Sequence, residues 1–275
     1  MTMNNPFFGV VDDTIKAIVE SRGDILITRD PALDAQRQVE QMYDLMEEGV
    51  EAIFLAPVDF DVVLPIIRAA REKGIKVIMV DTEIYEEDLA DCMIVSDNYQ
   101  AGVLCAEYLM EQKESAEIVI LEHSRAKSAN DRVAGFVDTI AGNEDYRVVE
   151  VYDALGQLEL AMPIMQKAIE EDVKFDTVFA INDVSAMGAM AALEEYGKLK
   201  DTCVLGVDGA PETKAMIQEG LMTATAAQYP TKIGTIAAEQ LYAILNGEEH
   251  EHRILIPVEL INRQNVSEYG TNGWQ

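Results

Sequence analysis

The 275-residue sequence is poor in basic residues, with 21 lysines and arginines against 50 aspartates and glutamates. The resulting formal net charge of −29 would repel phosphate backbones and anionic lipid surfaces, so nucleic acid is not expected as a partner. Long hydrophobic runs are also missing. None approaches the roughly 20 residues that span a bilayer, and the sequence therefore predicts no transmembrane helix.

Cysteine and the motifs of common enzymes are scarce as well. Cys92, Cys105 and Cys203 stand far apart in apolar surroundings, which favours buried free thiols over disulfides or metal ligands. The sequence contains no G-x-S-x-G nucleophile elbow, no G-x-x-x-x-G-K-[ST] phosphate loop and no H-E-x-x-H zinc site. His123 has no matching acid and nucleophile that can be placed beside it. These absences favour binding over catalysis and predict no cofactor and no metal.

Short β-branched runs alternate with longer stretches of helical period along the chain. This alternation is typical of a parallel sheet covered by helices on both faces, so we predict an α/β fold. The predicted strands are Asp24–Thr28, Ala52–Leu55, Lys76–Val80, Ile118–Leu121, Arg147–Val151, Thr177–Ala180, Cys203–Val207 and Thr223–Ala227. The predicted helices lie near residues 9–21, 33–48, 60–73, 98–112, 129–141, 157–171, 183–196, 211–219 and 230–246.

The chain is long enough for two lobes, because a single hydrophobic core stops growing near roughly 250 residues. The alternation of strand and helix patterns breaks at the polar residues Ser96-Asp97-Asn98 and then begins again. No Pro-rich or Gly/Ser-rich linker separates the two halves, so we expect two doubly wound lobes joined by ordered crossings. The polar tail Ser267–Gln275 is the segment that we expect to be loosely packed.

The cluster Asn4-Asn5-Pro6-Phe7-Phe8 joins polar amides to two aromatic rings at the start of the chain. Proline fixes the backbone, asparagine favours a helix N-cap, and an aromatic face can stack on the C–H face of a sugar ring. The same residues would also fit an N-cap followed by two core phenylalanines. The cluster therefore suggests a sugar site, and other segments must decide.

Polar side chains follow four of the predicted strands, at the edge where open α/β sheets bind ligands. Asp81 follows one apolar run, Asn182-Asp183 follows another, and Asp208 and Gln228 follow two more. With Arg132 near the start of a helix, the set combines carboxylate acceptors, amides that donate and accept, and one forked donor. A site that binds vicinal hydroxyls requires this mixture, because each hydroxyl both donates and accepts hydrogen bonds. Taken singly, each residue could instead be a helix cap or a turn residue.

Together these segments resemble the sugar-binding proteins of bacterial ABC transporters, the type I periplasmic binding proteins of the ribose-binding group. The matching segments are Asn4–Phe8, Val77–Asp81, Val95–Asn98, Asp131–Phe136, Val178–Asp183 with Gly188, Gly206–Pro211, Gly220–Pro230 with Gly234, and Pro257–Val266. The resemblance covers nearly the whole chain. It implies two Rossmann-like, doubly wound parallel-sheet lobes that are joined by a three-crossing hinge and close over one sugar. The N-terminal lobe would comprise residues 1–96 and 229–258, and the C-terminal lobe residues 97–228 and 259–275.

The resemblance also implies ligand contacts from the first lobe. Asn5 would bond a sugar hydroxyl, and Asp81 would accept hydrogen bonds from hydroxyls. Phe7 and Phe8 would line the sugar or stack on it. Thr82 follows Asp81 at the site, in a position where the ribose binders usually have arginine.

In the second lobe, the resemblance implies that Arg132, Asn182 and Asp208 form paired hydrogen bonds with sugar hydroxyls and the ring oxygen. Gln228 would act at a hinge. Two further departures from the family pattern lie in this lobe. The aromatic residue before the aspartate is replaced by Val207, and Tyr152–Gln157 offers no counterpart for a second stacking ring. The sequence still predicts a sugar ligand, but with these departures it does not identify that sugar as ribose.

The family's chains open with a strand ahead of the Asn-Pro-Phe-Phe loop, whereas this sequence has only Met1-Thr2-Met3 there. We therefore expect that the sequence starts at an internal methionine of a longer precursor that carries the export leader, and that the protein is either periplasmic or a membrane-anchored lipoprotein outside the cell. The resemblance implies an extracytoplasmic monomer that delivers its sugar to an ABC transporter permease.

Two other functions compete with transport. Effector domains of sugar-responsive repressors share this fold, so a cytoplasmic sugar-sensing regulator is the alternative. The sequence has no helix-turn-helix upstream and its charge opposes DNA. An enzyme acting on a sugar is the third hypothesis, and the missing nucleophile and base pairs argue against it.

Overall fold

The computed structural model describes all residues from Met1 to Gln275. The chain divides into two compact units. The first unit comprises Met1–Ser96, Arg125–Ser128 and Tyr229–Ile256, and the second comprises Asp97–Ser124, Ala129–Gln228 and Pro257–Gln275. None of the helices combines the length and the hydropathy that a membrane-spanning segment needs.

Every predicted helix is present within a few residues of its predicted bounds. The helices are α1 (Pro6–Ser21), α2 (Ala35–Glu48), α3 (Leu64–Glu72), α4 (Asn98–Gln112), α5 (Lys127–Ile140), α6 (Leu158–Glu170), α7 (Asp183–Glu195), α8 (Pro211–Glu219), α9 (Pro230–Asn246) and α10 (Val266–Tyr269). The strands are β1 (Ala52–Leu55), β2 (Lys76–Asp81), β3 (Cys92–Ser96), β4 (Ala116–Glu122), β5 (Tyr146–Asp153), β6 (Thr177–Ala180), β7 (Cys203–Asp208), β8 (Ala224–Ala227), β9 (Arg253–Ile256) and β10 (Glu259–Asn262). The short α10 and the strands β3, β9 and β10 were not predicted from the sequence.

The first unit contains a four-stranded sheet in the order β1-β2-β3-β9, and all its strands run parallel. Its central strands β2 and β3 are apolar except at their ends, and every residue of β3 is buried. Continuous burial is typical of a parallel sheet covered on both faces. In the hydrophobic core of this unit, Met42 and Met46 of α2 pack with Ile66 and Ile67 of α3 and with Val77 of β2.

The segment Asp24–Thr28 does not form the strand that we predicted. It belongs to no sheet, and Ile25 is 84% exposed. A β-strand requires a neighbour for its backbone hydrogen bonds, and the edge strand β1 pairs only with β2. A groove of about 680 Å³ is lined by this segment, by β1 and by Met1–Met3. The apolar pattern of residues 24–28 is therefore real, but the structure provides no strand beside it.

The second unit contains a six-stranded sheet in the order β10-β8-β7-β6-β4-β5, in which only β10 is antiparallel to its neighbour. Alternate residues of its central strands enter two different cores. Val119 and Val178 lie in one core with residues of α6 and α7. Ile118 and Phe179 lie in the other core with residues of α4 and α5. Helices therefore cover both faces of this sheet, which confirms the predicted α/β fold with doubly wound parallel strands.

The tail Ser267–Gln275 has no buried residue, but hydrogen bonds hold its last residues in place, which loose packing did not predict. The fully buried Lys214 of α8 donates from Nζ to the carbonyl oxygen of Gly273 at 2.7 Å. The side chain of Gln275 makes further hydrogen bonds to the carboxyl-edge loops of the sheet. A polar composition predicted loose packing, but polar groups become ordered where buried partners such as Lys214 satisfy their hydrogen bonds.

Candidate functional site

Asp81 ends β2 in a strained backbone conformation. Its φ angle is 68°, and the N–H of Thr82 donates to the carbonyl oxygen of Val80 at 2.8 Å. These contacts close a three-residue γ-turn centred on Asp81. Such conformations persist for non-glycine residues where the surroundings fix them, and they cluster at ligand sites. Asp81 is buried at the carboxyl end of a parallel strand, which is the sheet edge that binds ligands.

Thr82 and Glu83 link this turn to the start of α5 and to β9. The Oγ1 atom of Thr82 accepts a hydrogen bond from the N–H of Ser128 at 3.1 Å. The buried carboxylate of Glu83 lies 2.8 Å from Nζ of Lys127 and 2.8 Å from Nη2 of Arg253. Burial raises the pKa of Glu83, but the hydrogen bonds from Arg253 and Lys127 outweigh burial and hold the pKa below its usual value. No local sequence signal marked Glu83, because its partners are distant in the chain.

Asn5 caps helix α1, as the local sequence predicted. Its Oδ1 accepts a hydrogen bond from the N–H of Phe7 at 3.0 Å, and Pro6 occupies the first turn. Phe7 is buried, and its ring meets the ring of Phe8 edge-on with centroids 5.4 Å apart. Phe8 is half-buried. The capping alternative is therefore met at Asn5, and the sugar contacts of Asn5, Phe7 and Phe8 stay predictions.

Asp208 ends β7 and lies beside two other predicted site residues. Its Oδ1 accepts a hydrogen bond from Nε2 of Gln228 at 2.7 Å and lies 3.8 Å from Nη1 of Arg132. All three side chains are buried. The backbone is strained here as well, since φ is 137° at Asp208 and 74° at Gly209. The structure thus brings a carboxylate, an amide and a guanidinium into one buried cluster of the second unit.

Arg132 is held in this cluster by neighbours on its other side. Its Nε donates to Oδ1 of Asn98 at 2.8 Å, and its Nη1 donates to the carbonyl oxygen of Ile181 at 2.7 Å. Helices α4 and α5 lie so close that a Cβ atom at Gly102 would be 2.0 Å from the carbonyl oxygen of Arg132. A buried guanidinium needs such acceptors to offset its lost hydration. Asn98 was missed as a site residue, although it belongs to the polar break between the two predicted lobes.

Asn182 is the N-cap of α7 and lies apart from these hydrogen bonds. Its Oδ1 accepts from the N–H of Ser185 at 2.9 Å, and its Nδ2 donates to the carbonyl oxygen of Gly156 at 3.0 Å. Gly156 has a φ angle of 65°, and a Cβ atom there would lie 2.9 Å from Nδ2. The capping alternative is therefore also met at Asn182. A sugar contact from Asn182 stays a prediction.

Gln228 carries an unsatisfied polar atom at the centre of the cluster. Its side chain is buried and its Nε2 is used by Asp208, but its Oε1 accepts no hydrogen bond from the protein. Leaving a buried acceptor without a donor costs about 1–3 kcal/mol. A hydroxyl group placed beside this atom would supply the donor.

Asp183 is a buried carboxylate that supports the strand ends behind the cluster. Its Oδ2 accepts from the N–H of Ala210 at 2.8 Å and from Oγ1 of Thr213, and its Oδ1 accepts from Oγ1 of Thr225 at 2.7 Å. Burial, and after it the charge of Asp208, raise the pKa of Asp183 from 3.8 to about 7. The sequence had marked Asp183 only as a strand-end or capping residue, because its three partners come from later segments.

Replacing Asp183 by asparagine is expected to remove a pH dependence of stability. Because the folded-state pKa is raised, the native state binds the proton more tightly than the unfolded state, and the contribution of Asp183 to stability is lost as the pH rises from about 4 to about 7. Between pH 5 and pH 8 we expect the change in the free energy of unfolding of wild type to be about 2–3 kcal/mol less favourable than the change in Asp183→Asn, because all other titrating groups contribute equally to both proteins. Urea denaturation at the two pH values measures it. The exposed Asp145→Asn is the control and should keep the wild-type difference, whereas an equal difference in Asp183→Asn would contradict the assignment.

Cysteine and metal chemistry find no support in the structure. Cys92, Cys105 and Cys203 are free thiols; Cys92 and Cys105 are buried as predicted, whereas Cys203 is half-buried. Burial raises the pKa of Cys92 to about 11. A thiol with a raised pKa is a poor nucleophile and a poor metal ligand. No group of three or more His, Cys, Asp or Glu side chains could hold a metal ion.

A protein-family model described as a periplasmic binding protein domain matches residues 1–249. Among curated proteins, the ribose import binding protein of Bacillus subtilis is 29% identical over 261 residues. This alignment covers 94% of the present chain and 84% of that protein.

Two solved structures are similar over almost their whole length. An ABC transporter solute-binding protein of Mycobacterium smegmatis with bound glycerol has a TM-score of 0.93 and 28% identity, and the match covers 100% of the present chain and 96% of that chain. A solute-binding protein of Bacillus halodurans with bound myo-inositol has a TM-score of 0.89 and 26% identity, covering 96% and 92%. Both bound molecules are polyols.

Proposed function

Because the chain belongs to the periplasmic binding protein domain family, we propose that it binds one monosaccharide or related polyol reversibly and without chemical conversion. Membership of this family confirms the resemblance drawn from the sequence. Periplasmic solute-binding proteins are non-enzymatic components of transport, which agrees with the prediction that the chain is not an enzyme. The import binding proteins among its relatives favour transport over the regulator alternative.

The buried cluster of Arg132, Asp208 and Gln228 is the observation that carries the proposal. A sugar hydroxyl both donates and accepts hydrogen bonds, so a polyol site needs acceptors and donors side by side. Asp208 supplies charged acceptor oxygens, Arg132 supplies N–H donors, and Oε1 of Gln228 is a buried acceptor that a hydroxyl would satisfy. Charge-assisted hydrogen bonds of this kind are roughly twice as strong as neutral ones. The cluster therefore fits a neutral ligand with vicinal hydroxyls.

We expect the first unit to contribute Asp81 as a further acceptor and Phe8 as a half-buried aromatic surface. Aromatic faces suit the apolar C–H side of a sugar ring. The departures at Thr82 and Val207 have structural roles of their own, since Thr82 bonds Ser128 and Val207 lies in the hydrophobic core. We therefore propose a sugar or polyol ligand without assigning it to ribose.

The family implies an extracytoplasmic location for the chain. We further propose that the sugar-loaded protein is a monomer that delivers its ligand to the permease of an ABC transporter. The name of its Bacillus subtilis relative, a ribose import binding protein, supports this role. A strong negative charge also agrees with a partner other than nucleic acid or an anionic membrane surface.

A thermal-shift screen over aldopentoses, aldohexoses, inositols and glycerol tests the proposal. We expect at least one compound to bind with a dissociation constant at or below about 1 μM, which corresponds to about −8 kcal/mol. At 100 times its dissociation constant, such a compound stabilises the protein by about 2.7 kcal/mol and raises the melting temperature. Chromatography of each compound after incubation should return it unchanged. Failure of every compound to bind, or conversion of one of them, would refute the proposal.

A further inference from the structure

One side-chain amide in the carboxyl-terminal segment bridges the two loops that carry Asp208 and Gln228. Nε2 of Gln275 donates to the carbonyl oxygen of Gln228 at 2.6 Å and to that of Asp208 at 3.1 Å. The same two residues are joined directly, because the N–H of Gln228 donates to the carbonyl oxygen of Asp208 at 3.0 Å. The spacing between the two loops therefore depends partly on Gln275.

Lys214 fixes the orientation of this amide. Its Nζ donates to Oε1 of Gln275 at 3.0 Å and to the carbonyl oxygen of Gly273 at 2.7 Å. An ammonium group can only donate, so Oε1 must face Lys214 and the amide N–H groups must face the two loops. Lys214 is fully buried, and burial lowers its pKa. A buried ammonium requires such acceptors, which ties Lys214 and the tail to each other.

The loop beneath Gln275 is the most strained part of the cluster. Asp208 and Gly209 both have positive φ angles. A Cβ atom at Gly209 would lie 2.4 Å from Nε2 of Gln275 and 2.6 Å from Cβ of Ala227. The tail thus lies directly against the strained turn. Strained conformations persist only where neighbouring groups restrain them from several sides.

We propose that Gln275 is a positioning residue for ligand binding, which holds the Asp208 turn and the Gln228 loop at the separation that the ligand requires. This inference rests on the proposed function, because it assigns a role in binding to a residue that is not expected to touch the sugar. Lys214 contributes indirectly, because its hydrogen bond to Oε1 orients the Gln275 amide. Preorganised contacts bind more tightly than contacts that must be ordered on binding.

Two substitutions at position 275 separate positioning from general stability. Gln275→Glu keeps the length of the side chain and gives Lys214 a charged partner, but it lacks the N–H donors that reach the two loops. Gln275→Ala removes both interactions. We expect both variants to bind D-ribose, D-allose or myo-inositol about tenfold more weakly than wild type in calorimetry. The melting temperature of Gln275→Glu should fall less than that of Gln275→Ala, because its carboxylate still pairs with Lys214. The exposed Gln264→Ala is the matched control and should bind as wild type.

Amide hydrogen exchange supplies a readout that needs no sugar. The amides of Gly209 and Gln228 should exchange at least fivefold faster in both position-275 variants than in wild type or Gln264→Ala. If wild type binds none of the three compounds, the proposed function is challenged but the exchange rates still test the role of Gln275. Unchanged exchange at both amides, or affinities within twofold of wild type in both variants, would overturn the inference.

Discussion

Asp208→Ala is expected to weaken sugar binding by about 2–4 kcal/mol, which is roughly a 30- to 1000-fold rise in the dissociation constant. The carboxylate accepts from Gln228, lies beside the Arg132 guanidinium and is buried. Its loss removes charged acceptors for sugar hydroxyls and leaves buried donors without a partner. Isothermal titration calorimetry with the compound of highest affinity from the thermal-shift screen measures the change.

Two further variants sharpen this expectation. Asp208→Asn keeps an acceptor for Gln228 but removes the charge, so we expect about half the loss of binding free energy that Asp208→Ala shows.

Arg132→Ala should weaken binding by about 2–4 kcal/mol as well, and it should also lower the free energy of unfolding because Asn98 and the Ile181 carbonyl lose their donor. Urea denaturation separates the two effects. Asp145→Ala, an exposed substitution in the same unit, is the control. If Asp208→Ala or Arg132→Ala binds within threefold of wild type, the cluster is not the sugar site.

A strand-forming hexapeptide fused ahead of Met1 is expected to raise the melting temperature by roughly 5–10 °C. The groove of the first unit lies against the unpaired edge of β1 and the extended segment Asp24–Thr28, and apolar side chains of α1 and α2 line it. An extended peptide placed there could pair with β1 and bury its side chains on both faces. Burial of β-branched residues, less the entropy of ordering them, gives a net gain of about 2–4 kcal/mol.

The position of Met1 sets the direction of such a strand. The Met1 amine donates to the carbonyl oxygen of Ala56 at 2.8 Å, just beyond the carboxyl end of β1. A strand parallel to β1 would therefore end where Met1 lies, so a direct fusion has the required polarity. Burial lowers the pKa of the Met1 amine to about 5, and a peptide bond at this position would remove the cost of burying an ionisable group.

A Gly/Ser hexapeptide fused at the same place is the matched control for length. Calorimetric melting compares the two fusions with wild type, and hydrogen exchange reports on the amides of Ala52 and Phe54, which face away from β2. We expect these amides to be protected only in the strand-forming fusion. Equal melting temperatures for the two fusions would show that the groove does not accept a strand.

The sequence alone was sufficient to predict the α/β fold and most element bounds. Ala52–Leu55 and Thr177–Ala180 coincide with β1 and β6, because buried parallel strands are continuous apolar runs bounded by polar residues. The strands β9 and β10 were missed. Each has only four residues, and these are partly exposed. β9 forms because it pairs with β3, and β10 forms because it pairs with β8.

Part of the candidate site was also predicted from the apolar runs that mark the strands. Asp81, Asp208 and Gln228 follow apolar runs, and in a parallel sheet the carboxyl ends of strands share one edge, so their types and positions indicated polyol binding. Asn5 and Asn182 carry local capping signals, and the structure places both as caps. These features depend on neighbours within a few residues, which a sequence displays directly.

Only the tertiary structure decided which polar groups meet across the chain. Arg132 bonds Asn98 and lies beside Asp208, and Asp183 accepts hydrogen bonds from three residues later in the chain. Gln275 bonds two loops, and Lys214 orients its side-chain amide. Tertiary pairing likewise left Asp24–Thr28 without a strand partner despite its apolar pattern. Hydrogen bonds between distant segments depend on how the elements pack, and a single sequence records local periodicity but not the partner that each buried group finds.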